Sequence, residues 1–114
     1  HVIPHQVSEL TISNGFSELR KRSQTDFPHS VVISNVADRG NTASTSHWVA
    51  VWDNIHSGRI RSGDRVVFGI SGSGISVGTA LYQFDDLPDR VRQEVLPADT
   101  GASAVSTHSR KNRR

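Results

Sequence analysis

Cysteine is absent from this 114-residue chain, and so is methionine. Without a thiol the chain forms no disulfide, offers no thiolate to zinc and supplies no cysteine nucleophile of its own. A translated frame opens on Met whereas this sequence opens on His1, so a fragment, a processed chain or an incomplete sequence is expected. Long apolar runs are also missing. None approaches the roughly 20 residues that a membrane-spanning helix needs, and no signal-peptide or lipidation pattern is visible. A cytoplasmic location without a membrane partner is the corresponding expectation. An excess of one charge is scarce too, once the tail is set aside. The pI is 9.7, but Arg110, Lys111, Arg113 and Arg114 sit in the last five positions. Residues 1–96 hold nine Lys/Arg and ten Asp/Glu, a net of −1 by subtraction. Nucleic-acid binding needs a patterned basic face, so no nucleic-acid partner is expected.

What is there suffices for one domain with a modest core. It is expected over 1–96, followed by a disordered basic tail over 97–114, which is rich in Ala, Ser, Thr and Arg. His1-Val2-Ile3-Pro4 reads as the end of a strand that Pro4 closes. A helix is predicted over 7–22, with Ile12, Phe16 and Leu19 on one face, Ser8 as N-cap and Gly15 as a weak point. Val31-Val32-Ile33 is short and β-branched, and is expected to be a buried strand; 35–40 reads as a loop. Trp48, Val51, Trp52 and Ile55 follow the i, i+3, i+4, i+7 rule, which predicts an amphipathic helix over 42–56. With Ala43, Ser46 and Ala50 keeping its other surfaces small, this should be the most buried helix. Gly58 ends it, and a turn follows over 59–64. Strands over 65–70 and 76–84 flank the glycine turn Ser71-Gly72-Ser73-Gly74. Asp85 to Arg90 reads as a turn, with one short helical turn to Val95. The order β-α-β-α-β-β implies an α/β domain with a mixed sheet, parallel crossovers first and a hairpin-like return last.

Three stretches carry candidate chemistry, each with a plainer reading beside it. His5 follows a strand end, where open α/β sheets place groups that handle ligands, or it is an exposed loop histidine. Asn41, in the Gly40-Asn41-Thr42 turn, sits where a helix dipole favours developing negative charge, or it is only a turn residue. Gly72-Ser73-Gly74 is a hairpin corner, or a loop whose bare N–H groups face an oxyanion. It lacks the spacing and lysine of a Walker A loop, and its serines have no visible base and acid partners. The spacings of His5, His29, His47, His56 and His108 match no zinc signature, so a metal site is rejected.

Taken in order, Pro4-His5-Gln6, Gly40-Asn41-Thr42-Ala43-Ser44, and Gly72-Ser73-Gly74 with Gly78, Ala80 and Leu81 resemble the C-terminal half of the thiolase-like condensing enzymes. The resemblance is to the β-ketoacyl-acyl-carrier-protein synthase III family in particular. Ser57-Gly58-Arg59-Ile60-Arg61-Ser62-Gly63-Asp64 is similar to the segment before that family's penultimate strand, and the likeness covers about residues 1–84. It implies the C-terminal half of a thiolase-like fold, with the helix after the Gly-Asn-Thr motif lying between two sheets. It also implies a homodimeric fatty-acid-type acyltransferase that performs a decarboxylative Claisen condensation. The substrates would be an acyl-coenzyme A and a malonyl thioester, with acyl carrier protein as a possible carrier and no permanently bound cofactor.

Carried over residue by residue, the resemblance assigns His5 and Asn41 to the enolate of the decarboxylating malonyl thioester. The backbone N–H of Ser73 becomes the oxyanion-hole donor. The family's Pro-His-Gln motif continues Ala-Asn, whose Asn contacts the pantetheine arm; Val7 and Ser8 stand there in this chain, so Ser8 inherits the cofactor contact. An arginine that helps dock the carrier is matched by Leu10, while Arg20, Lys21 and Arg22 offer a shifted basic patch or simply a solvated face. The nucleophilic cysteine belongs to the family's N-terminal half, so the isolated chain should be inactive. The alternatives are a non-catalytic thiolase-fold subunit that pairs with a Cys-bearing partner, and an unrelated α/β binding domain.

Overall fold

A computed structural model of the chain describes residues 1–26, 28, 31–72 and 76–94. Its sheet has three strands in the spatial order β1 (Val2–Pro4), β2 (Arg65–Gly72) and β3 (Ser76–Gln83). β1 runs parallel to β2, pairing Val2 with Val67 and Pro4 with Gly69. β2 returns antiparallel along β3, from Arg65 opposite Gln83 to Gly72 opposite Ser76. The mixed sheet and the hairpin return therefore match expectation. Pro4 closes β1 as its ring requires, since it has no N–H to continue the ladder.

The expected strand over 31–33 is reduced to a single bridge between Val2 and Val32, with the Ile33 N–H donating to the Val2 carbonyl at 2.8 Å. A side chain explains the shortening. The Gln6 amide donates to the Ile33 carbonyl at 3.3 Å and accepts from the Asn35 N–H at 2.9 Å. It thereby takes up backbone groups that a longer strand would have offered to β1. Burial of Ile33 survives, but the ladder does not.

Helix α1 (Glu9–Ser23) starts at Ser8, whose hydroxyl accepts from the Thr11 N–H at 3.1 Å, the predicted cap. Only Ile12 of α1 is buried, and Arg20, Lys21 and Arg22 fall in its last turn, where the helix dipole favours cations. The loop expected over 35–40 contains one helical turn, α2 (Val36–Arg39). The helix predicted over 42–56 splits into a 3-10 turn (Ala43–Thr45) and α3 (Ser46–His56). Gly58, at φ 74°, turns the chain away after α3, a conformation open to glycine at no steric cost.

Among the described helices α3 has the most buried positions, and they take in half of the predicted stripe, Val51 and Ile55. Ser46, Ala50, Val51, Asn54 and Ile55 are buried, whereas Trp48 and Trp52 are 67% and 53% exposed. The small side chains let α3 approach the sheet closely, so they face inward and the bulky indoles are carried to the flank. The core joins Ile3, Ile33, Ala50, Val51, Ile55, Ile60, Val66, Phe68 and Phe84. β2 buries only alternate residues, Val66 and Phe68, so it is half-covered rather than enclosed, and β3 is exposed along nearly its whole length.

The last helix, α4 (Leu87–Glu94), is longer than the single turn expected. Arg92 donates to the carbonyls of Ile55 and Ile60, both at 3.0 Å, and so fastens α4 across the end of α3. Leu87 and Val91 pack on the core. The expected tail over 97–114 lies outside the described residues. No described helix is long and apolar enough to cross a membrane.

The packing of α3 gives a direct test. Ala50→Leu should destabilise the chain by about 1–3 kcal/mol in urea unfolding, through overpacking against the sheet. Trp52→Ala, on the exposed flank, should cost less. The reverse ranking would mean that the helix is seated with its indoles inward.

Candidate active site

His5 leaves the carboxyl end of β1 and enters a tight turn, in which the Val7 N–H donates to the His5 carbonyl at 3.0 Å. Its neighbour Gln6 is fully buried. The Gln6 Nε2 donates to the carbonyls of Pro4 at 2.8 Å and Ile33 at 3.3 Å. Its Oε1 accepts from the Asn35 N–H at 2.9 Å and lies 3.3 Å from the Ser34 hydroxyl, which donates to Glu9 at 2.5 Å. The His5 ring is part-exposed and makes no hydrogen bond among the described residues. It lies 5.7 Å from the ring of His47, centroid to centroid. His47 Nε2 is 2.8 Å from the Gly69 carbonyl; a carbonyl only accepts, so that nitrogen carries the proton.

Asn41 sits in an Asx turn. Its Oδ1 accepts from the Ala43 N–H at 2.9 Å and the Ser46 hydroxyl at 3.3 Å. These bonds fix which end of the amide is which. They hold Ala43 at φ 54°, a region that side chains other than glycine rarely adopt. The Asn41 Nδ2 makes no hydrogen bond among the described residues, so its two donors face outward. Gly40, at φ 68°, makes the turn from α2 into this segment.

A cavity of about 810 Å³ is lined by His5, Ala43, Ser44 and His47 together with the apolar side chains of α3, β2, β3 and α4. His5 also borders a smaller cavity of about 280 Å³ beside α1. The first cavity thus unites His5 with the segment immediately after Asn41; Asn41 itself does not line it. Ser8 is exposed and engaged as the α1 cap. Ser73, the expected oxyanion-hole donor, and His29 and His108 lie outside the described residues. His56 stacks edge-on against Trp52 at 4.2 Å, away from His5.

A family model described as 3-oxoacyl-[acyl-carrier-protein (ACP)] synthase III C terminal matches residues 1–84. The chain belongs to this family. It is 35% identical over 83 residues to beta-ketoacyl-[acyl-carrier-protein] synthase III of Vesicomyosocius okutanii, covering 73% of this chain and 24% of that protein. It is 43% identical over 78 residues to beta-ketoacyl-[acyl-carrier-protein] synthase III 2 of Streptomyces coelicolor, covering 68% of this chain and 22% of the relative. The crystal structure of 3-oxoacyl-(acyl carrier protein) synthase III from Pseudomonas aeruginosa PAO1 superposes with a TM-score of 0.64 at 27% identity, over 75% of this chain and 25% of that one. The chain therefore spans about a quarter of the length of the curated relatives it matches. Its thiolase-like fold class is that of the synthase III structures. The match ends at Phe84, so α4 lies beyond it.

Around the synthase III motifs runs a polar network that the sequence reading passed over. The Asn35 amide donates to Asp53 Oδ2 at 2.9 Å, and Arg39 grips both oxygens of the same carboxylate at 3.0 and 2.8 Å. The hydrogen bond from Arg39, aided by those from Asn35 and by the charges of Arg39 and His56, outweighs partial burial and holds the Asp53 carboxyl below its ordinary value of 3.8. A folded-state value lower than the unfolded one adds stability at pH above the unfolded value, and that stability is lost as pH falls through the folded one. Asp53→Asn should therefore lower the melting temperature at pH 7. The gap to wild type should begin to narrow as pH falls below about 3.8. An equal gap at pH 7 and pH 3 would show that the carboxylate's charge is not what stabilises the fold.

Proposed function

We propose that this chain supplies the histidine and asparagine half of the active site of a 3-oxoacyl-acyl-carrier-protein synthase III, an acyltransferase whose cysteine comes from outside this sequence. The observation that carries the proposal is the pair of unengaged donors, the His5 ring and the Asn41 Nδ2. The Asn41 amide is held by its oxygen, the His5 ring lies beside that of His47, and the cavity joins His5 to the Ala43-Ser44 segment that follows Asn41. The absence of cysteine and the quarter-length match both support a nucleophile supplied elsewhere.

In this reading an acyl group from coenzyme A rests on the cysteine as a thioester. A malonyl thioester, carried by acyl carrier protein or coenzyme A, then enters. Loss of carbon dioxide breaks the bond between its carboxyl carbon and its α-carbon, and the electron pair moves into the thioester as an enolate. Donors from His5 and Asn41 stabilise the oxygen that becomes negative. The α-carbon attacks the acyl carbon, and the oxyanion formed there is held by the Ser73 N–H and the cysteine's own N–H. Collapse expels the thiolate and leaves a 3-oxoacyl thioester. The reading also takes the working enzyme to be a dimer, with Ser8 near the pantetheine arm.

The test is made in the complete synthase that contains this chain. His5→Ala and Asn41→Ala should each lower malonyl-thioester decarboxylation by about 10²–10³, the usual loss for an oxyanion donor. Transfer of the acyl group to the cysteine should suffer less. Decarboxylation within about twofold of wild type in either variant would remove that residue from the site.

A further inference from the structure

Gln6, Asn35, Asp53 and Arg39, with the Asn35 backbone N–H as one link, form a polar chain from one proposed catalytic loop to the other. It begins at the Pro4 carbonyl, directly before His5, where Gln6 donates at 2.8 Å. Gln6 then accepts from the Asn35 backbone N–H at 2.9 Å, and the Asn35 amide donates to Asp53 at 2.9 Å. Asp53 receives both arms of Arg39, the last residue of α2, after which Gly40 and Asn41 follow at once. The chain runs outward from a fully buried amide, through Asn35 at 7% exposure, to an Arg39 side chain 55% exposed. Its two ends hold backbone, not substrate, and each lies within two residues of a proposed donor.

We infer that these four residues are one positioning unit that fixes the His5 loop and the Asn41 loop at their working separation. The inference rests on the proposed His5–Asn41 site. α2 is a single turn without a side-chain cap on Asn35, and a turn that short does not hold itself in water. The fork of Arg39 on Asp53 anchors α2 to α3, because a planar guanidinium grips a carboxylate at two points and resists rotation. Asn35 ties the other end of α2 to the same carboxylate and, through its backbone, to Gln6. Loosening the fork would leave the fold intact but let Asn41 drift relative to His5. Misplacement of about 1 Å can lower a rate on the order of a hundredfold.

The experiment uses the complete synthase with Arg39→Ala, Asp53→Asn and the double variant, assayed well below their melting temperatures. Each single variant should lower kcat for malonyl-thioester decarboxylation about tenfold with KM within about twofold, as expected when a donor shifts without losing substrate contact. The double variant should fall no further than either single one, acyl transfer to the cysteine should stay within about twofold, and Arg39→Lys should recover part of the rate. If decarboxylation stays within about twofold of wild type while His5→Ala loses at least about a hundredfold, the positioning unit is overturned and the site stands. Equal losses in both half-reactions would also overturn it, by showing a merely structural role. If His5→Ala and Asn41→Ala are themselves silent, the site falls and the positioning unit with it. Should Asp53→Asn fail to fold, Arg39→Ala and Arg39→Lys, at a half-exposed position, decide the matter alone.

Discussion

The fully buried Gln6 side chain has both its N–H donors and its oxygen hydrogen-bonded to backbone. Two N–H donors meet the carbonyls of Pro4 and Ile33, and the oxygen accepts from the Asn35 N–H. A buried polar group left unsatisfied costs about 1–3 kcal/mol, so each of these partners is held in place by the penalty for leaving. Glutamate of the same length would present oxygen to two carbonyl oxygens and lose both donor bonds. Alanine would take a partner from three backbone groups at once. The amide therefore acts as a peptide unit inserted sideways between β1 and the 33–35 segment. It sets where His5 turns out after β1 and where α2 begins.

The position of α3 follows from that join and from side-chain size. With 33–35 fixed beside β1, Asn35 reaches Asp53 on α3, and the helix settles with Ala50 and Ser46 against the sheet. Close approach by small residues leaves no room for indoles on that side. Trp48 and Trp52 consequently line the larger cavity with Leu81 and Tyr82 of the exposed strand β3. Apolar surface gathered in this way is characteristic of faces that another polypeptide covers. Under the proposed function, the cysteine-bearing remainder of the synthase is the polypeptide in question.

Much of this was legible in the sequence because it is governed by local rules. The Ser8 cap, the Gly58 turn, the Pro4 strand end and the β2–β3 hairpin each depend on a few neighbouring residues and emerged as read. Period-3.6 spacing gave α3 its existence but neither its start nor its orientation. Trp48, Val51, Trp52 and Ile55 define a stripe, yet which edge of that stripe meets the sheet depends on the space the sheet leaves. The 31–33 strand failed for a related reason. Its composition is that of a strand, while its pairing was taken by an amide 27 residues away. Asn35, Asp53 and Arg39 looked like ordinary loop and helix-surface residues, since nothing in one dimension shows that they meet. His47 likewise showed no signal until Gly69 and His5 were brought beside it.

Under the proposed function, the plain reading and the functional reading of Asn41 both hold. As a turn residue it needs only its side-chain oxygen, which Ala43 and Ser46 occupy. As an oxyanion donor it needs only its nitrogen, which the turn leaves untouched. The first role orients the second, because an amide pinned by its oxygen has one direction left for its N–H groups. The strain at Ala43 belongs to the same arrangement: backbone is held in a disfavoured region so that the amide faces outward. A donor fixed before substrate arrives needs no reorganisation when charge develops, and that is the condition under which a single hydrogen bond contributes most to a rate. Preorganisation of this kind reaches one residue only as far as its own loop is fixed. Carrying it from Asn41 to His5 takes a connection between their loops, and the polar chain through Gln6, Asn35, Asp53 and Arg39 has the length and the burial to be that connection.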